Sequence, residues 1–68
     1  MPLSARNHLK GQMTEILLGT VTALITVKVG ENLVESVITK RSAEEMNLKK
    51  GDEVTAVIKA TEVMIQKD

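Results

Sequence analysis

Alternating apolar and polar residues run through most of the chain and predict a protein built mainly of β-strands. The clearest alternation covers residues 20–29, where β-branched side chains occupy both faces and one face is wholly apolar. Residues 30–32 have the composition of a hairpin loop, and the alternation resumes over residues 33–39. Further strands are predicted over residues 7–18 with a bend near Gly11, over 53–59 and over 61–65.

One short helix is predicted between the third and fourth strands. Ser42-Ala43-Glu44-Glu45 matches the capping box Ser-x-x-Glu, in which the serine and glutamate side chains each accept a hydrogen bond from a backbone N–H of the first helical turn. We therefore expect Ser42 to cap a helix over residues 43–48, with Met46 and Leu48 facing the core and Gly51 following its end. The resulting order β-β-β-α-β-β is that of a mainly β, OB-like barrel of five strands.

Length and composition predict one small domain, residues 1–68, whose core alone gives only marginal stability. A chain of 68 residues buries a small core, and this one has no Phe, Tyr or Trp to enlarge it. The absence of cysteine excludes disulfides, and a single histidine, His8, argues against a structural zinc. Oligomerisation is the remaining source of stability, so we expect a homo-oligomer.

The charge balance and the chain's opening bear on partners and location. Nine basic residues balance nine acidic ones, whereas nucleic-acid-binding domains usually carry a basic excess. The first residues lack the pattern of a signal peptide, and the apolar runs are far shorter than the ~20 residues of a membrane span. We therefore expect a cytoplasmic protein with no membrane or nucleic-acid partner.

Two polar segments near the ends of the chain carry the candidate chemistry. Ser4-Ala5-Arg6-Asn7 and Lys59-Ala60-Thr61 together offer two cations, hydroxyls and backbone N–H groups, which suit a tetrahedral oxyanion. Taken separately, each is better explained as an ordinary surface segment, the first as an exposed arm and the second as an edge-strand lysine. Ser42 adds a hydroxyl at a predicted helix start, a second place where anions bind. No nucleophile with a base and no paired catalytic carboxylates can be assembled, so we expect no enzyme activity.

The same segments resemble a known family. Ser4-Ala5-Arg6-Asn7 followed by Leu9-Lys10-Gly11, and the stretch over residues 51–65, are similar to the opening and closing motifs of the molbindins. The likeness covers nearly all of the chain. It implies an OB-like subunit of the Mop or TOBE type, a hexamer arranged as a trimer of dimers, and cytoplasmic storage or homeostasis of molybdate and tungstate.

The resemblance also implies where the ligand lies. Molybdate or tungstate is bound as an oxyanion at subunit interfaces, without a cofactor or protein ligands to the metal. His8 departs from the aromatic or amide residue of regulator-type relatives, which alters only the rim. A second site near the three-fold axis is placed at Gly19, Thr20 and Val21. The expected residues of the first site are Ser4, Ala5, Arg6, Ser42, Lys59 and Ala60.

Two alternatives place the chain among nucleic-acid-binding regulators. One is an OB-like domain that binds single strands, and the other is a swapped-hairpin regulator, for which residues 48–54 have a typical sequence. Single-strand binders combine basic grooves with stacking aromatic side chains. The zero net charge and the absence of aromatic residues argue against both alternatives.

Overall fold

Four antiparallel strands form a single sheet in the computed structural model, which describes residues 3–68; residues 1 and 2 of the predicted domain lie outside the described part. The sheet order is β3-β2-β1-β4. The mainly β class and the position of the helix after the third strand are as predicted. The elements are β1 Asn7–Leu18, β2 Thr22–Val29, β3 Asn32–Thr39, α1 Lys40–Glu45, β4 Glu53–Ile58 and a 3₁₀ turn, Ala60–Glu62.

The long first strand organises the sheet by pairing with different neighbours along its length. Its first half pairs with β4 and its second half pairs with β2. A register shift between Met13 and Glu15 marks a β-bulge, the kind of irregularity that bends a strand. The bend predicted near Gly11 is therefore found a few residues later. Gly11 itself lies where β1 passes so close to β2 that a Cβ atom would come within 2.3 Å of the Lys28 carbonyl oxygen.

The core is small and aliphatic, as the composition requires. Ala23, Ile25 and Val27, which share the apolar face predicted for this strand, are buried against Met13 of β1 and Ala43 of the helix. The prediction for the helix is half correct. Leu48 packs against the core, whereas Met46 is 57% exposed. The remaining apolar residues that border the core are Ile16, Val29, Ile38 and Val54.

The helix begins three residues earlier than predicted, so the proposed capping role of Ser42 is wrong. Thr39, with extended backbone angles, is the N-cap residue, and its Oγ1 accepts a hydrogen bond from the Ser42 backbone N–H at 3.0 Å. Both hydroxyl residues are good caps. Thr39 takes the role because β3 ends there and α1 follows without a loop.

The helix also ends earlier than predicted, at a left-handed residue. Asn47 has φ 51°, and its N–H and that of Leu48 donate to the carbonyls of Glu44 and Ala43. This pair of bonds is a Schellman motif, in which asparagine substitutes for the usual glycine. Gly51, expected to end the helix, instead lies in the turn that leads into β4.

The fifth predicted strand is not formed within the described chain. Residues 60–62 of the expected segment form the 3₁₀ turn, and residues 63–68 have no regular secondary structure. Met64 and Ile65 are 93% and 90% exposed. A strand needs a hydrogen-bonded neighbour, and this segment pairs with neither edge strand of its own sheet. The sheet is therefore an open, four-stranded version of the predicted barrel.

Candidate functional site

Antiparallel pairing of β1 with β4 brings the two predicted cations to the same end of the sheet. The last pair of this ladder joins Asn7 to Ile58, and the Asn7 side-chain Nδ2 donates to the Ile58 carbonyl oxygen at 3.2 Å. In an antiparallel register, the next position on each side sets Arg6 opposite Lys59. Both residues are exposed. Two segments more than 50 positions apart in the sequence thus meet at one edge.

The opening segment is shaped by a local contact. The chain bends at Ser4, and Nε2 of His8 lies 3.2 Å from the Ala5 carbonyl oxygen, a distance at which a ring N–H donates a hydrogen bond. This contact spans Arg6 and limits the directions in which the segment can leave β1. His8 therefore has a structural explanation at the rim, which the sequence alone did not supply.

The closing side of this edge is a tight turn. After Lys59, the N–H groups of Glu62 and Val63 donate to the carbonyls of Lys59 and Ala60, at 2.8 and 3.3 Å. The first N–H groups of such a turn have no partner inside it and point away from its start. Ala60 is exposed and lies at that start. Backbone donors therefore follow directly after Lys59 in the chain.

Ser42 lies at the other end of β1. Its Oγ accepts a hydrogen bond from Thr39 Oγ1 at 2.8 Å, and its backbone N–H donates to the same hydroxyl at 3.0 Å. Thr39 pairs with Thr22 at the start of β2, next to the end of β1. Among residues 3–68, no hydrogen bond or ion pair joins Ser42 to Arg6 or Lys59. One chain therefore does not unite all the residues predicted for the first site.

The residues predicted for a second site adjoin the helix start. Gly19, Thr20 and Val21 form an exposed turn closed by a bond from the Gly19 N–H to the Thr22 carbonyl at 2.8 Å. The Val21 carbonyl accepts from the Lys40 N–H at 2.8 Å, which ties this turn to the first residue of α1. The structure thus places Ser42 nearer to the second predicted group than to the first.

Thr39 is a candidate that reasoning from sequence missed. Its hydroxyl both caps the helix and contacts Ser42, so it fixes the direction of the Ser42 side chain. A signal was present, because a hydroxyl residue three positions before Ser42 ends a β-strand pattern. The neighbouring Arg41 is 89% exposed at its side chain and is paired with Glu45 at 2.9 Å, so its charge is already partly balanced.

Other kinds of site find little support in the described residues. Over residues 3–68, no three His, Asp or Glu side chains gather as metal ligands. No helix in that range is long and apolar enough to cross a membrane. The ends of the sheet, with their cations and hydroxyls, remain the best candidates for binding chemistry.

Comparison with known proteins assigns the family. Residues 3–65 match the TOBE domain. "Molybdenum-pterin-binding protein 1" of Clostridium pasteurianum is 46% identical over 66 residues, which cover 96% of this chain and 97% of that protein. A molybdate-binding protein from Sporomusa ovata has a similar structure, with a TM-score of 0.94, 39% identity, and coverage of 98% of this chain and 100% of that one.

A third similarity extends to a longer protein. A structure of the cytoplasmic molybdate-binding protein ModG matches with a TM-score of 0.83 and 39% identity, over 88% of this chain and 43% of that one. These matches confirm the predicted OB-like class and the resemblance drawn from the terminal motifs. The matched proteins are binding proteins, which agrees with the expectation that the chain is not an enzyme. The chain therefore belongs to the TOBE domain family, and within it to the molbindins.

Proposed function

We propose that the protein binds molybdate, and its near-isostere tungstate, as an oxyanion at sites completed by neighbouring subunits. Its role is storage and homeostasis of the anion in the cytoplasm, without catalysis. The observation that carries the proposal is the β1–β4 register, which pairs Asn7 with Ile58 and so brings their neighbours Arg6 and Lys59 to the same edge of the sheet. The binding named for the similar proteins supports the choice of anion, and the cytoplasmic ModG supports the location.

The chemistry at this edge suits a tetrahedral dianion. Arg6 presents a planar fork of donors, and Lys59 supplies a compact second charge, so the two formal charges of the anion are matched. The Ser4 hydroxyl and the backbone N–H groups near Ala60 supply neutral donors to the remaining oxygens. Charge-assisted hydrogen bonds of this kind are about twice as strong as neutral ones.

Exposure of the two cations explains why a second subunit is required. Arg6 and Lys59 face water in the single chain, where a charge pair at 4 Å gains only about 1 kcal/mol. Covering the site with another subunit lowers the local dielectric constant and strengthens each contact. That subunit also brings its own Ser42 and Thr39, which the first chain holds at the opposite end of β1. A hexamer built as a trimer of dimers is the assembly that the molbindin likeness implies.

Selectivity against sulfate depends on size. Sulfate and molybdate share shape and charge, so cations and hydroxyls alone do not separate them. A cavity bounded by two subunits has a fixed width, and the larger anion fills it. We therefore expect molybdate to displace sulfate when both are present, and competition calorimetry measures this directly.

Isothermal titration with sodium molybdate in sulfate-containing buffer tests the proposal, with the mass of the protein measured in the same solution. We expect saturable binding by an oligomer and loss of tight binding in Arg6→Ala. The matched control is Arg41→Ala, which removes an exposed arginine whose partner is Glu45 and should bind like the unaltered protein. Unchanged molybdate affinity in Arg6→Ala would show that the site lies elsewhere.

The same proposal includes that the protein does not bind nucleic acid. The zero net charge and the lack of aromatic side chains support it, because single-strand binding depends on a basic groove and on stacking aromatic side chains. A gel-shift titration at low salt should show no complex with DNA or RNA. A salt-dependent shift would instead favour the regulator alternatives.

A further inference from the structure

A polar cleft of about 430 Å³ lies on the face of the sheet that points away from the core. Side chains alternate between the two faces of a strand, and the neighbouring residues Met13 and Val27 are buried on the core face. The side chains of the cleft are exposed and come from three strands, β1, β2 and β4. The cleft is lined by Lys10, Gly11, Gln12, Lys28 and Glu53.

Strand pairing places the charged residues of the cleft around one amide. Gln12 is opposite Lys28 on β2 and opposite Glu53 on β4, because β1 has both neighbours at this position. Lys28 and Glu53 are therefore two strand spacings apart, about 10 Å, with Gln12 between them. Lys10, two residues earlier on the same face, is diagonal to both at roughly 7–8 Å, which a long side chain can span. Two cations, one carboxylate and one amide thus face the same volume.

The fold does not use the charges of this cleft. Over residues 3–68, the one ion pair lies within α1, so neither lysine of the cleft nor Glu53 has a charged partner. Nε2 of Gln12 donates to the Gly51 carbonyl oxygen at 3.2 Å, which holds the amide in place and uses one of its two N–H groups. The cleft therefore offers a ligand two ammonium groups, one amide N–H and one carboxylate.

We propose that the cleft binds inorganic phosphate in the form of hydrogen phosphate. The unprotonated oxygens of this anion accept charge-assisted hydrogen bonds from the ammonium groups of Lys10 and Lys28. Its P–OH group donates to the Glu53 carboxylate, which can only accept. Phosphate keeps a proton at neutral pH, whereas sulfate and molybdate do not. Against those anions Glu53 presents a negative charge to an acceptor oxygen, a repulsive contact that selects against them.

The phosphate site is separate from the proposed molybdate site. Arg6 precedes Lys10 by four residues, which is about 13 Å along an extended chain. Charges in water at that distance are largely screened at physiological ionic strength, where the Debye length is about 8 Å. Phosphate should therefore bind in its cleft whether or not molybdate is present. The proposal goes beyond the proposed function and does not depend on it, so either can fail without the other.

An NMR titration of the isotope-labelled protein tests the site. Sodium phosphate is added at neutral pH and constant ionic strength, and sodium sulfate is added in a parallel titration. We expect phosphate to shift the side-chain amide signal of Gln12 and the backbone amide signal of Gly11 until they saturate, with several-fold weaker binding of sulfate. Lys10→Gln should weaken phosphate binding several-fold, whereas Lys67→Gln, which removes an exposed cation outside the cleft, should not. Equal affinities for the two anions, or no saturable shift, would overturn the proposal.

Glu53→Gln tests the recognition of the phosphate proton directly. The glutamine amide carries no charge and can donate to an anion oxygen, so this variant should bind sulfate more tightly than the unaltered protein does and lose its preference for phosphate. Glu53 is exposed, so the exchange of a carboxylate for an amide leaves the core intact. Glu31→Gln, in the hairpin loop outside the cleft, is the matched control and should keep the preference. An unchanged ratio of the two affinities in Glu53→Gln would refute the proposal.

Discussion

Replacing Gly11 with alanine should destabilise the fold more than any other glycine substitution in the chain. A Cβ atom at this position would lie 2.3 Å from the Lys28 carbonyl oxygen and 3.0 Å from both the Lys28 carbonyl carbon and Val27 Cγ1. Two of these three atoms belong to the backbone of β2. On its other side, Gly11 pairs with Val54 of β4, so β1 cannot simply move away.

The expected cost follows from this geometry. Adding one methyl group to a packed region usually costs about 1–3 kcal/mol, because neighbours must shift. Here the neighbour is strand backbone rather than the end of a flexible side chain, so we expect the upper end, about 3 kcal/mol. For a domain of this size, each kcal/mol lowers the unfolding midpoint by about 4–8 °C, which gives a fall of roughly 12–24 °C.

The assay has to suit a chain without aromatic residues. Intrinsic fluorescence is silent, so far-UV circular dichroism follows the loss of strand during urea or thermal unfolding. The free energy of unfolding is compared at one fixed protein concentration, since the proposed assembly would contribute to the apparent stability. Gel filtration before each scan shows whether the variant has the same size in solution as the unaltered protein.

Gly30→Ala is the matched control. Gly30 has φ +61°, and no heavy atom lies within 4 Å of the Cβ atom that alanine would add. Its cost is therefore backbone strain alone, about 1–2 kcal/mol. If Gly11→Ala unfolds at the same midpoint as Gly30→Ala or later, the close passage of β1 over β2 does not limit this position and the reasoning fails.

Three further substitutions test the core, the helix start and the anion site. Met13→Ala should lower the free energy of unfolding by about 2–5 kcal/mol, since this side chain is 1% exposed, and an unchanged urea midpoint would contradict the burial. Thr39→Val should cost about 1 kcal/mol through loss of the N-cap, with Thr39→Ser close to the original stability by the same measurement. Lys59→Ala should weaken molybdate binding in calorimetry without changing the unfolding midpoint, and equal affinity would remove Lys59 from the site.

The strands and the core could be predicted because their signal is local and periodic. Side chains alternate between the two faces of a strand, so the apolar positions 23, 25 and 27 had to share one face. The structure buries all three. Periodicity does not specify how a strand pairs, however. The residue pattern of β1 does not indicate that its first half pairs with β4 and its second half with β2.

The helix start was mispredicted because two hydroxyl residues competed for one role. Ser42 fits a capping box on sequence, and Thr39 does not. The deciding factor is where β3 ends, which depends on its pairing with β2 up to Thr22 and Thr39. A local motif cannot report that distant constraint. Likewise, the strand expected at residues 61–65 has the right composition but lacks a partner within the chain.

The candidate site shows the same division between local and distant information. The terminal motifs identify Arg6 and Lys59 as candidates, but only the β1–β4 register explains how they meet. If a neighbouring subunit completes the anion site, as proposed above, molybdate binds a surface that exists only in the assembly. A ligand that binds only the assembly, present at a free concentration of 100 times its dissociation constant, stabilises the assembly by about 2.7 kcal/mol. Assembly should therefore resist dilution better with molybdate than without it.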